Sequence, residues 1–494
     1  MGPMPMTTVS SRASAAPALG GIALVAVAAV AVRLVLFLGV PLYEDEAYYW
    51  LWSRHPAFGY FDHPPMVAWV IAASSPLVPG ELGVRLGFLV CSGLVVVLTA
   101  LIAREMSPAP AAPVIAAVLV ASAPMHVLVG GLALPDSPTA LAYAALCWLA
   151  CRARGRRFIL VGLAWGLALL GKYPAYFLVP GILVLVAWDR SFREELRTPW
   201  PWLGGLTALL VFLPNLWWNA HHGFITFTFG VHRAFDGHAG AVRLLEFAGL
   251  LVIGAGPVAA LAGVPALVRG ASTPVRRVAA ATLAPLACFA ISATLRGIEP
   301  NWLVFLYPPL CAAGGAALAA LAPRRRTALL AAWVALVALA TAVTARELRD
   351  PRWLSVTRPP LRRILAGPEV AAGVQQALGS RAEAFVIPSR YQLAAYLAFY
   401  GGWRRFGPSF ARPSQLDLWD EKPAPGEPVV VVAFDHLPPD LEARLGVVGK
   451  TVDTVVDVDW RGRPLYRVAV ARFAGQRAGG AGPTGQTREA RPAQ

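Results

Sequence analysis

Charge is scarce in this sequence. Charged residues make up 14% of its 494 positions, 57% are hydrophobic, and mean hydropathy is +0.56. An average soluble globular chain carries about 25% charged residues. The shortage excludes a chain folded around one water-surrounded core and favours one largely dissolved in lipid. Acidic residues are scarcer still: 28 Asp and Glu stand against 43 Lys and Arg, for a net charge of +15. An excess of this size points to nucleic acid only where the basic residues share a face. Here they are scattered through short loops between apolar runs, which suits orientation in a membrane and argues against a nucleic-acid partner. Cysteine is sparse, with five residues (Cys91, Cys147, Cys151, Cys288, Cys311) in apolar stretches and without metal-type spacing, so no disulfide framework is implied. No Rossmann or P-loop glycine signature occurs, and there is no internal repeat.

Long apolar segments fill most of the remainder. Residues 1–19, rich in Pro, Ser and Ala, are expected to be disordered, and 20–40 reads as an uncleaved signal-anchor. A bilayer span takes about 20 residues. Further spans are expected near 82–103, 111–131, 134–151, 158–171, 174–188, 201–219, 244–268, 278–295, 301–322 and 327–345. Alternate loops carry Arg104; Arg152, Arg154, Arg156 and Arg157; Arg190, Arg193 and Arg197; Arg269, Arg276 and Arg277; and Arg324, Arg325 and Arg326. The positive-inside rule puts these in the cytoplasm. The opposite set is then external: 41–81, 132–137, the turn at Lys172, 220–243 and 296–300. After Arg346 the Pro and charge content rises. Strands are expected at Ala384–Ile387, Pro428–Phe434, Val452–Val458 and Leu465–Ala471, with helices at Gln392–Tyr400 and Pro439–Leu445. The expected organisation is therefore an α-helical polytopic membrane protein of about 11–13 spans over 20–345, a small external α/β domain over 346–475, and a disordered tail over 476–494.

Chemistry-bearing residues collect on the external side. The first loop, YEDEAYYWLWSRHPAFGYFDHPPMVAW, packs Asp45, Glu46, Asp62 and His63 among aromatics. It reads either as an interfacial aromatic belt with a solvated acidic flank, or as a site where a partly desolvated carboxylate draws a proton from an acceptor. Asp136, in LALPDSPTAL, is a helix N-cap or a second carboxylate of the site. Lys172, the only lysine before Lys422, either snorkels or pairs with an anion such as a lipid phosphate. The stretch 215–238 holds His221, His222, His232, Arg233, Asp236 and His238. It matches no standard metal pattern; a divalent ion there is open, and Arg233 on a phosphate fits better. Glu299, Asn301, Trp302 and Tyr307 open a late span on the same side, as a helix start or for sugar or acceptor recognition. A transporter or lipid flippase, the rival reading, would place its functional charges mid-membrane.

The motifs DEAYYWLWS…GYFDHPPMVAW, LALPDSP, GLALLGKYPA, PNLWWNAHHGF and EPNWL, in that order, resemble bacterial glycosyltransferases of the protein O-mannosyltransferase-like group. These include relatives of the lipid A aminoarabinose transferase. The resemblance covers about 20–345 and extends to SRYQLAAYLAFY (389–400) and DLWD (417–420). It implies a GT-C fold, a polyprenyl-phosphate sugar donor, transfer on the periplasmic face of the inner membrane, and an envelope lipid, glycan or protein as acceptor. Asp45-Glu46 fall on the family's acidic pair, with Asp45 as base, and Asp136 on its second acidic loop. Lys172 falls on its phosphate-contacting lysine. Where the aminoarabinose branch has a further phosphate-contacting lysine, this chain has His63, beside Asp62. His232, Glu299, Asn301 and Tyr307 fall to substrate contact, and no nucleotide is expected.

Overall fold

In the computed structural model, which describes residues 15–229, 242–295, 298–379 and 384–476, the chain divides into two compact units. The first comprises residues 1–38, 57–59 and 63–345; the second, 39–56, 60–62 and 346–494.

The first unit is helical, and every expected span contains helix. Among the described residues five helices are long and apolar enough to cross a membrane unaided: Leu19–Phe37, Gly80–Met106, Thr273–Leu295, Pro300–Leu318 and Pro323–Arg349. This is a multi-pass membrane protein. The remaining expected spans are short or broken, for identifiable reasons. The 111–131 segment splits into Ala112–Ala121 and Pro124–Val129 because Ala123, ahead of Pro124, turns extended. The 244–268 segment bends by 108° between Val242–Ala255 and Pro257–Arg269. The bend falls at Gly256, whose φ of +89° is open to glycine and whose missing Cβ leaves room for the Trp333 ring.

Breaks in lipid must return their backbone groups to some partner. Arg33, fully buried on the first helix, does this at the 122–123 break. Its Nε and Nη2 donate to His126 O at 3.1 Å, and Nη2 also reaches Ala121 O at 3.3 Å. Helices meet closely where glycines face each other: a Cβ on Gly162 or Gly204 would overlap the backbone of the other helix. Arg277, expected as a solvated loop charge, is instead buried. It donates to Asp189 Oδ2 at 3.3 Å and to Ala153 O at 2.7 Å, locking neighbouring loops together. The cysteines are free, and Cys147 and Cys151 are buried in packing as expected.

The second unit holds a four-stranded sheet in the order β1-β2-β4-β3, with β1 Phe385–Pro388, β2 Val429–Phe434, β3 Val447–Trp460 and β4 Arg463–Gln476. β1 and β2 are parallel; the other pairings are antiparallel. β3 and β4 run longer than expected because Arg461-Gly462, both at positive φ, make a two-residue turn that lets the ladder close fully. Phe385, Ile387, Val429, Val431, Leu445 and Phe473 form its core. A helix not expected from the sequence, Leu361–Leu378, packs against β3 and β4. The 41–81 segment, expected as a loop, contains the helices Glu44–Ser53 and Met66–Ser74, of which the first belongs to this unit.

Candidate active site

In the second unit the acidic stretch opens a helix. Glu44, Asp45 and Glu46 fill the first turn of Glu44–Ser53, where the positive end of the helix dipole favours negative charge. Glu46 is fully buried, and its Oε2 accepts from Tyr43 N at 2.9 Å. It caps the helix, a use that Tyr43 at the cap position does not advertise. Several of the aromatics are core: Tyr48, Trp52 and Tyr60 are at most 1% exposed, whereas Phe58 is exposed. Trp52 stacks on Tyr60 at 4.5 Å, and Tyr60 Oη donates to His55 O at 3.0 Å. Gln415 ties this frame together, donating through its N to Tyr48 Oη at 2.7 Å and accepting from Phe61 N at 2.8 Å.

Asp45 stays half-buried at the edge of this frame, and Tyr391 Oη donates to its Oδ1 at 3.0 Å. Tyr391 stacks on Tyr48 at 4.1 Å. Burial first, and then the charges of Asp45, Glu44 and Asp62, hold the Tyr391 phenol well above its usual range, so it remains a donor. Glu44 Oε1 lies 3.4 Å from Arg363, whose Nη1 donates to Tyr43 Oη at 3.1 Å. Burial and the neighbouring Asp45 charge push Glu44 up to about 7, with Arg363 opposing. A proton near neutrality therefore settles on Glu44, beside Asp45. Glu44 was visible in the acidic stretch but given no role, and Tyr391 and Arg363 were not singled out from the sequence. The only signal was that Tyr391 lies in the SRYQLAAYLAFY stretch.

In the first unit a second carboxylate is closed off. Asp136 begins the helix Asp136–Cys151, but its side chain does not cap it. Oδ1 lies 2.6 Å from Lys172 Nζ, and Oδ2 accepts from Asn301 Nδ2 at 3.1 Å. The side chains of Lys172 and Asp136 are 8% and 2% exposed. Lys172 therefore neither snorkels nor stands in solvent. It sits where the helix Arg157–Gly171 ends, extended at φ −157°, and Gly171 lets that end close on Thr139, which a Cβ would strike. The next residue is pinned too. Tyr173 Oη donates to Asn215 Oδ1 at 3.0 Å and accepts from Asn219 Nδ2 at 3.1 Å. Asn215 Nδ2 also donates to Phe58 O at 2.8 Å, which fixes the 57–59 segment. Two asparagines four apart in an apolar helix were the signal for this network, and the sequence reading passed over them.

The structure thus brings Asp136, Lys172 and Asn301 together, and places Asp45 and Asp62 around Tyr391 and Tyr48. His63 is half-buried in the first unit and Glu299 is exposed. Tyr307 is fully buried against Gly254. His221 and His222 place Nδ1 against carbonyls of their own helix at 2.9 and 2.7 Å, which accounts for both. His232, Arg233, Asp236 and His238 lie outside the described residues. Among the described residues no cluster of three or more His, Cys, Asp or Glu is arranged to hold a metal ion.

Residues 62–218 match the sequence profile of the dolichyl-phosphate-mannose-protein mannosyltransferase family. The chain is similar to the crystal structure of ArnT from Cupriavidus metallidurans bound to undecaprenyl phosphate. The TM-score is 0.64 at 19% identity, over 92% of this chain and 98% of that one. The chain has a GT-C fold. The apo form of the same ArnT matches at a TM-score of 0.62 and 17% identity, over 92% and 98% of the two chains. In sequence, the GT-C chain is 29% identical over 205 residues to the lipid A galacturonosyltransferase RgtD of Rhizobium johnstonii. That match covers 39% of this chain and 41% of RgtD, so it spans less than half the length of that relative.

Proposed function

We propose that this GT-C protein is an inverting membrane glycosyltransferase that moves a sugar from a polyprenyl-phosphate donor to an envelope acceptor at the periplasmic face. The observation that carries the reading is Asp45: a half-buried carboxylate oriented by Tyr391, with Glu44 beside it as the neighbour that takes the proton. An acceptor hydroxyl or amine attacks the anomeric carbon, and its proton passes to Asp45 as the bond from that carbon to the phosphate oxygen breaks. The polyprenyl phosphate departs with the bonding electrons, so negative charge grows on its oxygens. Lys172 is the buried cation proposed to meet that charge. An ammonium has three donors, and Asp136 takes one of them. Asn301 and Asp136 then serve to hold Lys172 in position. His63 and Arg233 are assigned to the donor phosphate, and Asp62, His232 and Glu299 to substrate contact.

Two similarities support this reading. The ArnT structure holds undecaprenyl phosphate in the same fold, and RgtD is by name a lipid A glycosyltransferase. Lipid A is therefore the first acceptor to test; another envelope glycan or a secreted protein would be the next. The purified chain in detergent, supplied with polyprenyl-phosphate sugars and lipid A, should transfer sugar, and Asp45→Asn should abolish the transfer. Undiminished transfer in Asp45→Asn would refute the assigned base. A protein that moved the lipid-linked sugar across vesicles without transferring it would be a flippase instead.

A further inference from the structure

The second unit contains an open cavity of about 1010 Å³ that has Glu44 in its wall and extends along residues to which the reaction above gives no role. Ligand sites commonly occupy about 300–1,000 Å³. This one lies beside the carboxyl ends of the parallel pair β1 and β2, where Ser389-Arg390 and Asp435-His436 leave the sheet. Crevices outside the carboxyl ends of parallel strands are the usual ligand positions of α/β sheets. Asp435 is held there at φ +65°, a left-handed backbone that a non-glycine residue adopts at a cost and that turns the chain into the cavity wall.

The lining is polar, and two buried atoms in it, Arg362 Nε and Gln392 Oε1, have no hydrogen-bond partner among the described residues. Arg362 is the second residue of the helix Leu361–Leu378, where the helix dipole disfavours a cation. Its guanidinium lies 4.6 Å from the Tyr466 ring centroid, and its Nε is out of solvent without a hydrogen-bond acceptor. Gln392 Oε1 is likewise buried without a donor. Arg363 is ion-paired with Glu44 and Arg467 with Asp457, whereas Arg362, which feels the Glu44 charge from farther off, and the exposed Arg390 at the mouth form no ion pair in the described contacts. Asp435 and Asp459 are exposed on the rim. An unused cationic donor, an unused amide acceptor, an aromatic face and carboxylates at the rim suit one chemistry: a saccharide that carries a phosphate. The phosphate would meet Arg362 and Arg390, and hydroxyls or an amine would meet Gln392 and the rim acids.

We infer that this cavity binds a phosphate-bearing saccharide, and that it anchors the sugar head of the acceptor. The second clause rests on the transferase reading; the first does not. The test titrates the full chain in detergent with glucosamine 6-phosphate, glucosamine and inorganic phosphate, followed by calorimetry. Arg362→Ala and the surface variant Arg390→Gln are run alongside. The phosphosugar should bind at least 10-fold tighter than either fragment, and each variant should weaken it at least 5-fold. In a transfer assay both variants should raise the acceptor KM and leave the donor KM unmoved. Equal binding by wild type and both variants, binding of phosphate as tight as that of the phosphosugar, or no binding with an unmoved acceptor KM would overturn the inference while leaving the transferase reading standing. Phosphosugar binding in a chain that transfers nothing would keep the site and remove the transferase reading.

Discussion

Asp45 and Asp136 are the same residue type in opposite circumstances. Asp136 is buried, and both of its oxygens are taken, one by an ammonium and one by an amide. Asp45 is half-buried, is held by a tyrosine hydroxyl, and has another carboxylate as its sequence neighbour. A carboxylate inside a satisfied, buried ion pair holds structure, whereas Asp45 is positioned by a tyrosine hydroxyl at the edge of its frame. The contrast separates two tasks that the sequence pooled as one set of catalytic acids.

The largest expected effect tests the Asp136 side. Lys172→Ala leaves a buried charge uncompensated, which typically costs about 3–5 kcal/mol. Thermal unfolding in detergent should show this loss, and the double variant Asp136→Asn with Lys172→Met should recover most of it. A single variant as stable as wild type would mean that the pair carries little structure. Next comes Tyr391→Phe, which removes one hydrogen bond to a carboxylate, worth about 1.5–3 kcal/mol. If that bond matters in the transition state, kcat should fall about 10-fold or more with donor KM nearly unchanged. An unaltered kcat would relieve Tyr391 of any part in orienting Asp45.

A pH-dependent effect concerns Glu44. Its folded pKa, pushed up from 4.5 to about 7 by burial and by Asp45, means that the folded state holds the proton more tightly than the unfolded chain. The corresponding stability is fully present below pH 4.5 and is lost as pH rises through about 7. Glu44→Gln, which cannot ionise, should therefore gain on wild type steadily across that window and level off above it. Parallel melting curves for the two proteins would contradict the assigned shift.

Much of the fold was legible because lipid imposes a coarse rule: long apolar runs must be helices, and each expected span contains one. The interruptions were harder. Gly256 and the Ala123-Pro124 step are visible as residues, but a bend of 108° depends on what packs into it, here the Trp333 ring. The site was legible in part. Asp45, Asp136 and Lys172 could be named one by one from scarcity and sidedness. Their partners could not, because Asp45 and Tyr391 are 346 residues apart, and Asp136 and Asn301 are 165 apart. No spacing rule reaches so far. Glu46 shows the converse: it matched a motif, and the fold uses it to cap a helix.

The most direct test of the account is a side-by-side measurement of transfer and unfolding in Asp45→Asn. Loss of a positioned general base lowers turnover by about 10²–10⁴-fold. The account predicts a loss of that size with an unfolding midpoint close to wild type, since Asp45 supports no buried pair. Near-normal transfer, or a loss of activity matched by a collapse in stability, would contradict it.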